Sequence, residues 1–319
     1  MASFRTLFTA TALSLAALTQ GRPLADEAAA SCDCYKPTAH SHATFAHRKF
    51  FDFRRIANPK TPAPVSGGRA ADAAAGGAHP YFSTSEWTST WGIQNWQTPG
   101  EGVYRVNSRN NVLIAPADDD DDEREDAPSH LTLRTQRWPD YQSTAEVESS
   151  ITDFHFLSVR MRARTRGAPG AVTALFTYRE RDGAVQEGDI EFRTSTETNV
   201  VQYTNQPDVV NGDEQPEATR VVEMEGPWTE WQEHRYDWTP GSSDWYVDGD
   251  KVASIQFQTP TAPLSVLMNV WSDGGIWSGV MDVGESAEMQ VQWLDLAYNA
   301  TSQPAARSCR KVCVIDDLI

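Results

Sequence analysis

The chain has 319 residues, with 27 basic and 44 acidic side chains and a formal charge of −17. That length allows one large β-domain or two small domains, and the charge makes nucleic acid and anionic membranes poor partners. Eleven Trp, nine Tyr and twelve Phe keep neutral sugars open as partners, because aromatic rings with one polar edge suit their C–H faces.

The N-terminus reads as a secretory signal, assigned to residues 1–21. Arg5 supplies the positive charge, and residues 7–18 are apolar and small. That is the length of a signal core and too short to span a bilayer. No other apolar run approaches a membrane span, and the C-terminus lacks the apolar tail of a lipid-anchor signal. A soluble protein, secreted to the extracellular space or cell wall, is expected, as a monomer. Four cysteines fit that oxidising compartment: Cys32 and Cys34 open the mature chain, and Cys309 and Cys313 lie at its end. A bridge within Cys-x-Cys closes a very small, strained ring, so two bridges tying N-terminus to C-terminus are expected, with the pairing open. Asn299-Ala300-Thr301 is a glycosylation sequon.

Residues 22–80 form an N-terminal segment. Within it, 49–53 is a short strand candidate, and 59–77, rich in Pro, Ala and Gly, reads as a mobile connector. The main domain is placed at residues 81–303, with a C-terminal segment at 304–319. Trp87, Trp91 and Trp96 stand near its start, and 111–115 is a short strand. Residues 117–127 contain the acid run Asp118 to Asp126, expected as a disordered, solvated loop. The run lacks the spaced Gly and terminal Glu of a helical calcium loop.

From His130 onward strand candidates follow one another: 131–134, 143–149, 156–163, 171–178, the acidic stretch below, 200–203, 233–238, 244–247, 252–257, 264–270 and 289–296. In 156–163, Ser158, Arg160 and Arg162 alternate with Leu157, Val159, Met161 and Ala163. Asp248-Gly249 is a hairpin signal. No helix of ten residues is evident in the mature chain. Short strands separated by Gly, Pro and Asp turns predict an all-β sandwich.

The chemistry concentrates in Glu187-Gly188-Asp189-Ile190-Glu191-Phe192. A period of two puts the three carboxylates on one strand face and Ile190 and Phe192 on the other, buried face. Two carboxyls acting on one bond are the usual equipment for cleaving a glycoside. The Cα atoms of Glu187 and Glu191 would stand about 13 Å apart at ~3.3 Å per residue. Side chains leaning together would close this to about 5–7 Å, near the ~5–5.5 Å of retaining enzymes. Asp189 between them can hold a partner's proton and separate the two pKa values.

This stretch resembles the E-x-D-x-E signature of glycoside hydrolase family 16, the concanavalin A-like β-jelly-roll glucanases and transglycosylases. His234-Arg235-Tyr236-Asp237-Trp238-Thr239-Pro240-Gly241, Trp245-Tyr246-Val247-Asp248-Gly249, and the run from Pro263 through Trp271 to Gly275 resemble the family's following segments. Ser143-Thr144-Ala145-Glu146 and the run from Gly170 to Phe176 resemble the strands before it. The likeness covers residues 128–300, and it looks closest to secreted fungal members, whose cysteine-bearing N-terminal segment is similar.

The resemblance implies two antiparallel sheets, with the cleft on the concave one. It implies Glu187 as nucleophile, Glu191 as acid and then base, and Asp189 as the residue that tunes them. It offers Tyr203, Asn205, Asn269, Trp271, Trp277 and His234 as substrate contacts; Trp138 is a further stacking candidate, and Trp238 and Trp245 are assigned to the core. The implied substrate is β-glucan or a related cell-wall polysaccharide, cut internally at β-1,3 or mixed β-1,3/1,4 bonds. The same residues serve a glucan or chitin transglycosylase, and the same fold serves a non-catalytic carbohydrate-binding protein. No cofactor and no metal ligand is assigned; a structural calcium stays open. Three features depart from the family pattern: Gly188 stands where Ile or Leu is usual, 179–185 is unusually charged, and 193–196 is polar. Gly188 suggests a bulge or a close backbone approach.

Overall fold

Alternating apolar and polar residues become the two faces of strands throughout the chain. The computed structural model describes residues 32–119, 121–303 and 309–319, so the expected signal at 1–21 lies outside the described residues. In chain order the strands are β1 (Cys34–Lys36), β2 (His47–Asp52), β3 (Trp91–Ile93), β4 (Gln97–Thr98), β5 (Tyr104–Asn107), β6 (Val112–Pro116) and β7 (Ser129–Arg137). Then come β8 (Tyr141–Ser149), β9 (Phe154–Gly167), β10 (Val172–Arg181), β11 (Ala184–Arg193), β12 (Val200–Gln206), β13 (Val209–Val210) and β14 (Asp213–Glu214). The last are β15 (Thr219–Glu223), β16 (Gln232–Thr239), β17 (Ser242–Val247), β18 (Asp250–Ile255), β19 (Ser265–Trp271), β20 (Ser286–Ala300) and β21 (Val312–Val314). Helix is confined to short turns such as α1 (Arg69–Ala73) and α2 (Ser85–Thr88), and no described helix is long and apolar enough to cross a membrane.

Two layers result. The concave layer runs β15-β12-β11-β10-β19-β8-β3. The convex layer runs β18-β17-β16-β9-β20, and β20 carries β7 and β2 along its far edge. Strand β8 belongs to both, pairing with β5 and β7 near its start and with β19 and β3 near its end. It joins the layers into one antiparallel sheet curled nearly into a barrel, the jelly-roll architecture.

Between the layers lies one core. The concave layer contributes Leu175, Ile190, Phe192, Val201, Tyr203, Met268 and Val270; the convex layer contributes Val159, Met161, Tyr236, Trp238, Trp245 and Leu294. Trp238 and Trp245 are fully enclosed, as expected. Each such side chain contributes roughly 1.5–3 kcal/mol through burial, so the alternation that sets strand register also supplies the stability. Asp248 and Gly249 both take positive φ, 48° and 93°, and turn the β17–β18 hairpin.

Two bridges, Cys32–Cys313 and Cys34–Cys309, tie the N-terminus to the C-terminus. They clamp a parallel β1–β21 pair over a small cluster of Phe45, Ala297 and Ile315. The sequon residue Asn299 accepts from Ala46 N at 2.9 Å and donates to the Thr44 carbonyl at 3.5 Å.

Two expectations are corrected. The segment at 59–77 is packed, not free: Lys60 N bonds the Ile114 carbonyl at 2.8 Å, buried Arg134 donates to the Pro62 carbonyl at 2.9 Å, and α1 buries Asp72. The acid run is not wholly solvated either: Asp119, Asp122, Glu125 and Asp126 are exposed, but Asp118, Asp121 and Glu123 are held. Strand β9 turns Arg160, Arg162, Arg164 and Arg166 outward, and the run's carboxylates dock on three of them. Asp118 meets Arg164 and Arg166 at 2.9 and 2.8 Å, Asp121 meets Arg164 at 2.9 Å, and Glu123 meets Arg162 at 2.5 Å. Trp231 also donates to Asp121 at 2.9 Å. Opposite charges spaced by the strand period thus replace water as the partners of Asp118, Asp121 and Glu123.

Candidate active site

Strand β11 sits inside the concave layer between β10 and β12. Its register against β10 runs unbroken from Ala184 to Arg193, so no bulge interrupts the alternation. Glu187, Asp189 and Glu191 therefore share the cleft face, while Gly188, Ile190 and Phe192 face the core. Gly188 is explained from that side. A Cβ at this position would fall 2.7 Å from Tyr236 Cζ and closer still to its hydroxyl. The glycine permits close approach of a convex-layer tyrosine, which Ile or Leu would prevent.

The cleft is about 550 Å³ and is built in cross-strand rows. One row reads Glu191, Ala174, Asn269, Glu146; the next reads Asp189, Phe176, Leu267, Glu148. The third begins Glu187, Tyr178. Trp96, Arg105 and Trp271 complete the walls. Acids line both sides, and Ala174, Phe176 and Leu267 make an apolar floor between them. This pairing of hydrogen-bonding walls with an apolar floor suits a neutral sugar, whose ring edge is polar and whose faces are C–H.

In the cleft burial dominates, and the net shift of all three carboxyls is upward. Burial raises Glu191 to about 8, with the Glu187 and Asp208 charges adding and Arg193 opposing. Burial raises Glu187 to about 7, with Asp189 opposing through a hydrogen bond and Asp208 adding. Both glutamates are only half-buried, so cleft water offsets part of each rise. Asp189 is 2% exposed and held well above the carboxylate range by burial first, then by Glu187 and Glu191. Neither of its oxygens meets strict hydrogen-bond geometry, although Glu187 and Gln206 adjoin it. Three carboxyls this close cannot all ionise at neutral pH, so the cleft stores protons beside ionised groups.

Of the residues expected to touch substrate, Asn269 and Trp271 line the cleft. Trp277 stacks on Trp271 with ring centres 5.9 Å apart and 18° between planes, and it forms the rim, 37% exposed. Arg105 and Arg193 cap the two rings, each 5.2 Å from a ring centre. Tyr203, Asn205 and His234 are not brought to the site. Tyr203 is fully buried beside Trp245, Asn205 donates to the Phe257 carbonyl at 2.9 Å, and His234 packs on Phe192 in the core at 4.8 Å. Burial drives His234 down to about 3, so it stays neutral. Trp138 stacks on Tyr141, away from the cleft.

The error on β12 is a slip of one residue. Thr204 pairs with Asp189 and Gln206 with Glu187, so Gln202, Thr204 and Gln206 share the cleft face. Val201 and Tyr203 are the buried pair, and that alternation is visible in the sequence. Also missed was Glu146, buried at the cleft wall, where it accepts from Trp96 Nε1 at 2.8 Å and burial raises its pKa. Among the described residues no group of His, Cys, Asp and Glu is placed to hold a metal ion.

A curled antiparallel sandwich with an acid-lined cleft on its concave face defines a β-jelly roll of the glucanase type of fold. The chain belongs to the family described as Glycosyl hydrolases family 16, whose model matches residues 110–295. It is 25% identical over 224 residues to a beta-glucanase of Paenibacillus macerans, covering 69% of this chain and 86% of that protein. It superposes on Bacillus licheniformis beta-glucanase with a TM-score of 0.52 at 22% identity, covering 66% of this chain and 92% of that one. For a prokaryotic beta-1,3-1,4-glucanase (lichenase) from a mouse hindgut metagenome the TM-score is 0.54 at 17% identity, covering 79% and 99%. The glycosidases of this family need no cofactor.

Proposed function

We propose that this chain is a secreted, retaining endo-β-glucanase that cuts internal β-1,3 or mixed β-1,3/1,4 bonds, resembling fungal members in its cysteine-bearing N-terminal segment. The observation that carries the reading is the row of Glu187, Asp189 and Glu191 on one unbroken strand face along the wall of an open cleft. Beta-glucanase relatives and family membership support it.

In this reading the glucan chain lies across β11, with rings over Ala174, Phe176 and Leu267 and against Trp271. Glu187, ionised, attacks the anomeric carbon. The glycosidic C–O bond breaks as Glu191 gives its proton to the leaving oxygen. Glu191, now ionised, takes a proton from water, whose oxygen attacks the same carbon and displaces Glu187. Two inversions at one carbon retain the β configuration. Asp189, shared between both glutamates, keeps a proton near Glu187 and separates the two roles. Gln206, Asn269, Glu146 and Trp96 are proposed as sugar contacts.

Product analysis tests this on laminarin, mixed-linkage β-glucan, xyloglucan and chitin oligomers, with wild type beside Glu187→Gln. Shorter oligosaccharides from wild type alone support the hydrolase and name its linkage. Products longer than the substrate make the chain a transglycosylase, in which an acceptor sugar replaces water. Equal retardation of both proteins on a glucan gel, without products, makes it a binding protein.

A further inference from the structure

A larger cavity, about 770 Å³, lies on the outer face of the convex layer, opposite the acidic strand. Its floor is Arg235 and Asp237 on β16, Asp244 and Tyr246 on β17, and Lys251 on β18; its wall is the loop 38–43, clamped by the two bridges. These strands pair in register, Arg235 with Tyr246 with Lys251, and Asp237 with Asp244, so donors and acceptors stand in adjacent rows.

Arg235 is the unusual member. Its guanidinium carries five donors and is 3% exposed. It lies flat on Tyr246, 3.6 Å from the ring centre. Its Nε is 3.3 Å from Asp237 Oδ1, yet neither atom has a hydrogen-bond partner. An ion pair whose facing atoms are too poorly aligned to hydrogen-bond, on the floor of an open cavity, is one that a ligand can complete. Lys251 pairs with Asp244 at 3.1 Å, and Asp316, also on the lining, is held by Arg160 at 2.6 Å, so each acid of the cavity already has a cation. An ionic ligand would leave one pair uncompensated. A polyhydroxylated neutral ligand accepts from Arg235 and Lys251 and donates to Asp237 and Asp244 without adding charge. The volume falls within the ~300–1,000 Å³ of small-ligand sites.

We propose that this convex cavity is a second, non-catalytic site for a neutral oligosaccharide, which holds a polysaccharide segment while the concave cleft acts on another. The site stands on its own residues and does not depend on the chemistry of the cleft.

The test is amide NMR of the full chain carrying Glu187→Gln, which stops turnover, titrated separately with laminarihexaose, cellohexaose, mannohexaose and chitohexaose. The expected result is a saturable set of shifts in residues 235–251 and 38–43, distinct from any set around Asn269 and Trp271. Adding Asp244→Ala and Lys251→Ala, both nearer the surface than Arg235, should weaken the convex set at least about tenfold, the scale of one charge-assisted hydrogen bond. A thermal melt confirms that the variant is folded. Shifts confined to the cleft, no shifts with any of the four sugars, or a convex set that survives the double substitution unchanged would each overturn the proposal. Convex shifts without cleft shifts would support it while counting against the glucanase reading.

Discussion

The hydroxyl of Tyr236, on the convex layer, rests against Gly188, on the strand that carries Glu187, Asp189 and Glu191. The contact couples the two sheets directly beneath Glu187 and Asp189. Gly188→Ala should cost about 1–3 kcal/mol of stability, as overpacking does, and should lower activity by displacing the neighbouring carboxyls. Adding Tyr236→Phe should recover only part of both, because the ring Cζ would still lie 2.7 Å from the new Cβ. Denaturant melts and initial rates on the single and double variants check this.

Strand β12 offers a paired test of which face meets substrate. The hydroxyl of Tyr203 is buried without a partner, so Tyr203→Phe removes an unsatisfied group and should be neutral or stabilising by about 1 kcal/mol, with the rate unchanged. Gln206→Ala, on the cleft face beside Glu187, should lower kcat/KM about tenfold, as the loss of a polar contact to a sugar or to the neighbouring carboxyls does. The reverse pattern would put the wrong face in the cleft.

The raised carboxyls make a pH prediction with a definite sign. The proposed mechanism needs Glu187 ionised and Glu191 protonated, so activity should be bell-shaped in pH, with both limbs displaced upward from the carboxylate range. In stability the folded state holds protons that the unfolded chain gives up near 4.5. Native protein therefore binds more protons between about 4.5 and 8, and stability falls as pH rises through that window. Glu191→Gln should lower activity by about 10²–10⁴-fold yet raise Tm, and the Tm gain should be larger at the top of the window than at its bottom.

The clamp of β1 on β21 should matter to stability more than to chemistry. Each bridge links residues 281 or 275 positions apart. Replacing Cys34 and Cys309 together by Ser should cost about 2–4 kcal/mol, read as a lower denaturation midpoint, with KM in the concave cleft unchanged.

Much of this was legible in the sequence because a strand's period is short and strict. Glu187, Asp189 and Glu191 alternate with Ile190 and Phe192, so the face, the strand and the chemistry could be read together. Where the reading failed, the missing information was long-range. The family resemblance puts Tyr203 and Asn205 in the cleft, although the apolar pair Val201 and Tyr203 marks the core face. His234 shares its face with Tyr236 and Trp238, and both are core. The acid run looked solvated because its partners, Arg162, Arg164 and Arg166, lie about forty residues on. The alternation of those arginines was visible, but nothing local says that they meet Asp118 and Glu123. Gly188 was recognised as a close approach, and only the packed structure names Tyr236 as what approaches.

The most direct measurement on the central claim is the anomeric configuration of the first product, followed by proton NMR in the first minutes of hydrolysis of a β-glucan oligosaccharide. A double displacement through Glu187 predicts that the β-anomer appears first and then mutarotates to the mixture. The α-anomer appearing first would mean that water attacks directly, and would contradict the role given to Glu187.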